Sequence, residues 1–348
     1  MSSHRVLITA IGGNVGQGVL KALRASARSF YICAIDMEPL SAGFSLVDAY
    51  YTTPRTGAPA FREALTEIVR REAIAAIYVC SPTELEFFAE QAAALADELG
   101  VSTFVNPLSV VRTGSDKLAT AEFLRDHGFP FPDTVACEDK AGMERLVREH
   151  GFPLFAKPRR GSSSRNVFIV NSIGEVNAAQ TLVPDLVLQQ YLSDDAGEFT
   201  AATLSGADGR VRALIVLRRE LLQGTTYRTE LVEDESFNQQ VVRIVETLGA
   251  VGPCNLQFRV RDGHVIAFEI NPRFSGTSGI RYLYGFNDCE MIFDLLRLKR
   301  EIHQPTLKKA VVLRYWNEVC IPEVDFEDLR TGRAKHKGCE TITREIPA

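Results

Sequence analysis

Apolar and polar positions follow two rhythms along the first hundred residues. The runs RVLITAI from Arg5, FYICAID from Phe30, AAIYVC from Ala75 and STFV from Ser102 are short and almost wholly apolar, the pattern of parallel strands buried on both faces. Between them, AFREALTEIVRRE repeats apolar residues at Phe61, Leu65 and Ile68, which is helical spacing. This strand–helix–strand alternation predicts an open, doubly wound parallel sheet. In SDKLATAEFLRDHG, Ser115 is the expected helix N-cap and Gly128 the residue after its C-cap. The pattern changes after FPFP: a short helix in DKAGMERLVREHG, two strands around a glycine–serine loop in FPLFAKPRRGSSSRNVFIVN, and a strand in DLVLQQYL. Longer strands with an antiparallel look follow in GEFTAATL, RVRALIVLRR, CNLQFRV and HVIAFEIN, with one helix in SFNQQVVRIVETLG. A last helix near CEMIFDLLRLK precedes the strand-like AVVLRYW and a polar tail.

Composition narrows the function classes. The 348 residues are 45% apolar and 24% charged, ordinary usage for soluble globular chains. No apolar run is long enough to span a bilayer, and MSSHRVLITAIGG reads as a first strand, so a cytoplasmic protein without a membrane partner is expected. A net charge of −5 with no basic block argues against nucleic acid. The seven cysteines are scattered, with no CxxC, which speaks against zinc and disulfide frameworks.

Three stretches carry candidate chemistry. ITAIGGNVGQGVLKALR sets Gly12, Gly13, Gly16 and Gly18 between the first strand and first helix, with Asp36 closing the second strand. The spacing GGxxGxG fits a dinucleotide fingerprint only loosely, so a tight turn and an anion site at a helix N-terminus both stay open here. FAKPRRGSSSRNV places Lys157 at a strand end, followed by Arg159, Arg160, Arg165 and three serines that can bring amides to phosphate oxygens. VIAFEINPRFSGTSG alternates Glu269, Asn271 and Arg273 with Ile270 and Pro272, so the polar three share one strand face. On the preceding strand Leu256, Phe258 and Val260 form one face and Gln257 the other. The next strand is expected to bury Ile266, Phe268 and Ile270. Matching the apolar faces puts Gln257 opposite Glu269, whereas a two-residue Asp-Gly turn favours a register one residue off. An odd-length loop or a bulge is therefore expected. Gln257, Glu269 and Asn271 then converge as oxygen ligands suited to Mg²⁺.

At this point the chain resembles the ATP-grasp superfamily, in particular single modules of carbamoyl-phosphate synthase large subunits and carboxylate–amine ligases. NLQF…FEINPRFSG is similar to the superfamily's metal and phosphate site, SDKLATAEFLRDHGFPFPDT to the segment with its first ATP-contacting basic residue, and LFAKPRRGSSSRNV to the second basic residue and phosphate-covering loop. VLQQYLSDDAGEFT resembles the adenine hinge followed by a ribose-binding acid, with Gln189-Gln190 where the hinge commonly starts with Glu. The resemblance implies an α/β chain, α+β in its second half. It would comprise a Rossmann-like parallel-sheet domain over 1–112, a small (lid) ATP-grasp subdomain over 113–190 and a large subdomain with the metal site over 191–348. It also demotes the N-terminal glycine loop as a dinucleotide site.

The resemblance further implies that ATP and Mg²⁺, or Mn²⁺, are used to activate a small-molecule carboxylate as an acyl phosphate, which an amine then attacks. Lys117, Lys157, Ser162, Ser164, Gln189, Gln190, Tyr191, Leu192 and Glu198 would contact the nucleotide. Gln257, Glu269 and Asn271 would hold the metal, Arg273 with Lys157 would act on the phosphoryl group, and Arg281 would bind the acceptor. Arg219, Arg228 and Tyr227 are weaker candidates for the acceptor. A homodimer is compatible with this reading. The alternatives are a catalytically silent ATP-binding sensor or scaffold and, third, an NAD-dependent oxidoreductase.

Overall fold

The structure is a computed structural model that describes residues 3–161, 166–193, 197–315 and 318–320. The chain divides into two compact units: residues 1–106 with 273–348, and residues 107–272.

Unit 1 opens with β1 (His4–Ile8), α1 (Asn14–Arg24), β2 (Phe30–Asp36), β3 (Ala49–Thr52), α2 (Pro59–Arg71), β4 (Ala76–Tyr78), α3 (Leu85–Leu99) and β5 (Ser102–Phe104). The five strands form a parallel sheet in the order β3-β2-β1-β4-β5. Val6, Leu7 and Ile8 are fully buried, as continuous apolar runs require when helices cover both faces. β3, AYYT, was not expected; it is short and mixes exposed with buried residues, so it lacks the apolar run that marks its neighbours.

The glycines of the first turn serve packing. A Cβ on Gly16 would stand 2.5 Å from the Ala10 carbonyl oxygen and 2.9 Å from Ile11 Cα, so α1 can start this close to β1 only with glycine there.

Unit 2 contains α4 (Leu108–Ser115), α5 (Lys117–Asp126), β6 (Thr134–Ala136), α6 (Lys140–His150), β7 (Leu154–Pro158), β8 (Phe168–Val170), α7 (Ile173–Leu182) and β9 (Leu186–Gln190). Its four strands make an antiparallel sheet, β6-β9-β7-β8. β10 (Glu198–Ser205), β11 (Val211–Leu222), β12 (Thr225–Val232), α8 (Glu235–Leu248), β13 (Gly252–Arg261) and β14 (His264–Asn271) follow. Here the antiparallel order is β14-β13-β10-β11-β12, with α8 burying Val241, Ile244 and Val245 in the core of this sheet. The chain then returns to unit 1 with the short α9 (Ser278–Arg281) and α10 (Asp288–Ile292).

Two local expectations are corrected. The N-cap of α5 is Asp116, not Ser115: its carboxylate accepts from the amides of Leu118 and Ala119, and Ser115 ends α4. The second correction concerns β14. Asp262 and Gly263 form a two-residue turn with φ of 52° and 76°, both positive as a type I′ turn demands. From this turn Val260 pairs with Val265 and Phe258 with Ala267, but Gln257 pairs with Glu269. Phe268 is the extra residue of a bulge. Val265 and Ala267 therefore enter the core before the bulge and Ile270 after it. Phe268 does not join that core, contrary to the simple alternation, and Ile266 is buried outside the same cluster. Turn and bulge together give the register that matching the faces required.

Gly16→Ala should lower the unfolding free energy by about 1–3 kcal/mol, because the clash is with backbone that cannot rotate away. Urea denaturation checks this, and an unchanged midpoint would contradict the packing role.

Candidate functional site

Strand alternation puts polar residues of both sheets of unit 2 on faces turned from their cores. Leu154 and Ala156 of β7 and Leu186 and Leu188 of β9 enter the core of the small sheet. Phe155, Lys157 and Gln189 thus share its opposite face. In the larger sheet Phe199, Ala201, Leu256 and Phe258 are core residues, which leaves Glu198, Gln257 and Arg259 on the other side.

These residues line a cavity of about 280 Å³ within unit 2. Its charged lining, among the described residues, is Lys117, Lys157, Arg219 and Arg259 against Glu198 and Glu269. Four cations against two carboxylates favour a polyanionic occupant. The remaining wall includes Phe155, Val167, Leu192, Leu221 and Phe268, which offer an apolar slot beside the charges. The bulge thus turns Phe268 from an expected core residue into a wall of the cavity.

Lys157 is 7% exposed, and its ammonium donates to Gln189 Oε1 at 2.6 Å. Gln189 Nε2 donates in turn to Thr134 Oγ1 at 2.8 Å, which donates to the Pro132 carbonyl oxygen at 2.8 Å. Burial pushes the Lys157 ammonium down to about 8; Glu269 opposes this, Lys117 adds to it, and Glu198 opposes it. Lys117 is lowered as well, by burial, with Glu269 and Asp116 opposing. Asp116 also receives Arg159 Nε at 2.9 and 2.8 Å, which anchors the start of the glycine–serine loop to the cap of α5. Burial alone would raise the Asp116 carboxyl, but the Arg159 hydrogen bond and the cap amides bring it below its ordinary value.

Glu198 faces Arg219 directly across β10 and β11. Arg219 Nη2 lies 2.5 Å from Glu198 Oε1 and donates to Gln257 Oε1 at 2.7 Å. Arg259 Nη1 donates to the Leu192 carbonyl oxygen at 2.7 Å, and its Nη2 lies 3.6 Å from Glu198 Oε2. Asn271 Nδ2 donates to Glu269 Oε1 at 2.8 Å.

Of the residues anticipated from the sequence, Lys117, Lys157, Gln189, Gln190, Leu192, Glu198, Gln257 and Glu269 line this cavity. Tyr191 stacks on Phe155 with ring centroids 5.0 Å apart. Asn271 reaches the site through Glu269. Ser162 and Ser164 lie outside the described residues. Arg273 and Arg281 belong to unit 1. Arg273 is 9% exposed and donates to the Phe274 carbonyl oxygen. Arg281 is 2% exposed, with Nη1 2.8 Å from Asp288 Oδ2 and Nη2 2.9 Å from Ser275 Oγ. Sequence reasoning passed over Arg259 and Thr134, and it weighed Arg219 only against an acceptor carboxylate. Opposite charges at facing positions of β10 and β11 were the available signal for Arg219.

Residues 182–319 match a family model described as ATP-grasp in the biosynthetic pathway with Ter operon, a span that includes Glu198, Gln257, Glu269 and Asn271. Residues 6–104 match the PylC-like N-terminal domain. The chain thus carries an ATP-grasp domain behind a PylC-like N-terminal domain. This chain is 26% identical over 200 residues to a D-alanine–D-alanine ligase of Acidovorax ebreus, covering 48% of this chain and 59% of that protein. It is 25% identical over 311 residues to a carbamoyl phosphate synthase large chain of Neisseria meningitidis serogroup B, covering 79% of this chain and 27% of that one. It therefore spans less than two thirds of both curated relatives. An N5-carboxyaminoimidazole synthetase from Staphylococcus aureus, crystallised with ADP, shares the fold at a TM-score of 0.71 and 14% identity, over 90% of this chain and 82% of that one. Among the described residues, no helix is long and apolar enough to cross a membrane.

The buried lysine gives a signed expectation. Its folded value of about 8 lies below the ordinary 10.5, so between these values the unfolded chain holds a proton that the folded chain has lost. The penalty on folding is full below pH 8 and relieved as pH rises toward 10.5. Relative to Lys157→Met, the wild type should thus gain about 1–3 kcal/mol between pH 7 and pH 10, read from paired urea melts. A pH-independent difference would mean that the ammonium is solvated.

Proposed function

We propose that the chain is an ATP-dependent ligase that phosphorylates a small carboxylate and joins the resulting acyl group to an amine, releasing ADP and phosphate. The observation that carries this reading is the cavity of unit 2, where two burial-depressed lysines and two arginines outnumber two carboxylates beside an apolar slot. The apolar wall suits a purine, and the cationic part suits its phosphates. We read Lys117 and Lys157 as phosphate ligands, each regaining full charge against a polyanion. Gln189 then acts as the holder of Lys157, while Gln190, Tyr191 and Leu192 supply the hinge and Glu198 the ribose contact.

The donor set fits a hard divalent cation. Glu269 supplies a carboxylate and Asn271 an amide oxygen, while Gln257 offers an amide oxygen that already accepts one hydrogen bond from Arg219. Bound Mg²⁺ would neutralise charge on the transferring phosphoryl; Mn²⁺ offers similar coordination. A carboxylate oxygen of the substrate attacks the γ-phosphorus as the bond to the ADP oxygen breaks. The amine nitrogen then attacks the acyl carbon, loses a proton, and phosphate leaves. The protein's work is alignment, charge neutralisation and exclusion of water. The roles expected of Arg273 at the phosphoryl group and Arg281 at the acceptor rest on the family resemblance and remain part of this proposal, as do the three functional domains, 1–112, 113–190 and 191–348.

Glu269→Gln keeps shape and removes one charge from the metal set. Turnover should fall on the order of 100-fold, with nucleotide affinity less affected. Wild-type rates at limiting Mg²⁺ would remove Glu269 from the site. The reaction itself is tested by screening carboxylates and amines for ADP release. With the carboxylate in hand, hydroxylamine should trap a hydroxamate, and ¹⁸O from the carboxylate should appear in phosphate. Nucleotide binding without ADP release from any pair would favour a silent binder, and label held wholly in the product would overturn the acyl phosphate.

A further inference from the structure

Unit 1 has a cavity of its own, of about 480 Å³, at the carboxyl ends of β1 to β4. The strand order turns there, since β1 lies between β2 and β4, and open parallel sheets receive ligands at such switch points. The charged residues lining it, among those described, are Asp36, Glu38 and Glu84 against Arg55.

Two residues in its wall, both largely buried, bear on what it could hold: a hydroxyl without a protein partner and a carboxylate held by neutral donors. Thr53 is 7% exposed, and its hydroxyl makes no hydrogen bond among the described residues; its backbone N–H donates to the Asp36 carbonyl oxygen. Glu84 is 9% exposed and holds its carboxylate with two hydroxyls, Thr9 Oγ1 at 2.5 Å and Thr56 Oγ1 at 3.4 Å. Burial, with Asp36 adding to it, pushes the Glu84 carboxyl up to about 7, so a cation placed against it recovers the ionised form. Arg55 is exposed at the same cavity, where water and salt screen its charge.

An anion is poorly served. The Gly12 amide already donates to Asp36 Oδ2 at 2.7 Å, and the Gly13 amide to the Ala10 carbonyl oxygen at 3.0 Å. A phosphate at this loop would meet the Asp36 carboxylate with the first two amides committed.

We propose that this cavity binds a small hydroxyl-bearing primary ammonium ion, with Asp36 and Glu84 receiving the ammonium and the Thr53 hydroxyl pairing with a ligand hydroxyl. Its lining shares no residue with that of the unit 2 cavity, and the proposal does not rest on the ligase reading.

Calorimetry on the full chain without nucleotide tests it. The probes are ethanolamine, 3-amino-1,2-propanediol and glucosamine, each against its uncharged counterpart: ethylene glycol, glycerol and glucose. Inorganic phosphate and NAD⁺ complete the set. At least one amine should bind saturably, its counterpart at least about tenfold more weakly. Glu84→Gln should weaken that amine by about tenfold, and the near-isosteric Thr53→Val by a smaller factor while keeping the carboxylates. ATP affinity should stay unchanged in both variants. If Glu84→Gln does not fold, Thr53→Val decides alone. The proposal fails if no amine binds, if the uncharged counterparts bind equally, if phosphate or NAD⁺ displaces the amine, or if Thr53→Val binds as the wild type does.

Discussion

Strands that leave a two-residue turn keep their side chains in phase until something breaks it. In β14 the break is Phe268. Before it, Val265 and Ala267 fill the core opposite Val260 and Phe258; after it, Ile270 does so opposite Leu256. Without the extra residue, continued pairing would set Glu269 opposite Leu256, turned toward the core, and Ile270 opposite Asn255, turned away from it. Burying that carboxylate without a partner would cost several kcal/mol, on the order of the whole stability of a domain. The bulge is therefore a condition of both the core and the cavity. Gln257, Glu269 and Asn271 owe their common face to it.

That face concentrates charge under strict local control. Lys157 is buried yet bonded through Gln189 to Thr134 and the backbone beyond, so its ammonium is fixed in position while its charge is poorly solvated. Arg219 spans Glu198 and Gln257, and Arg259 joins Glu198 to the backbone at Leu192. These hydrogen bonds order the side chains from within the protein, which is what positioning of phosphates demands. Neutral Gln189 leaves Lys157 less compensated than a carboxylate would.

Much of this was legible in the sequence, for identifiable reasons. The apolar runs of β1, β2 and β4 are long enough to announce buried strands, and the conflict between an Asp-Gly turn and the apolar faces announced either an odd-length loop or a bulge, of which the structure has the bulge. The location of the extra residue was not legible, because Val265, Ile266, Ala267 and Phe268 are all apolar and give alternation no contrast. β3 and β6 are short, of four and three residues, so neither offers a full period-2 pattern. Asp116 outcompetes Ser115 as a cap because the same carboxylate also binds Arg159, a contact 43 residues away that no local pattern contains. The glycines of the first turn read as either ligand-binding or steric; the approach of Gly16 to Ala10 decides for packing at that position.

The Arg219 bridge has a consequence for how this cavity can fill. Glu198 Oε1 and Gln257 Oε1 already accept from one guanidinium, so a ligand that takes the acceptor sites Arg219 occupies exchanges with it rather than adding to an open surface. Entry then swaps one set of hydrogen bonds for another, and measured affinity records a difference between two well-bonded states. An occupant that repairs what it displaces binds such a site better than one that leaves the guanidinium unpaired. The guanidinium acts as a resident competitor for those oxygens.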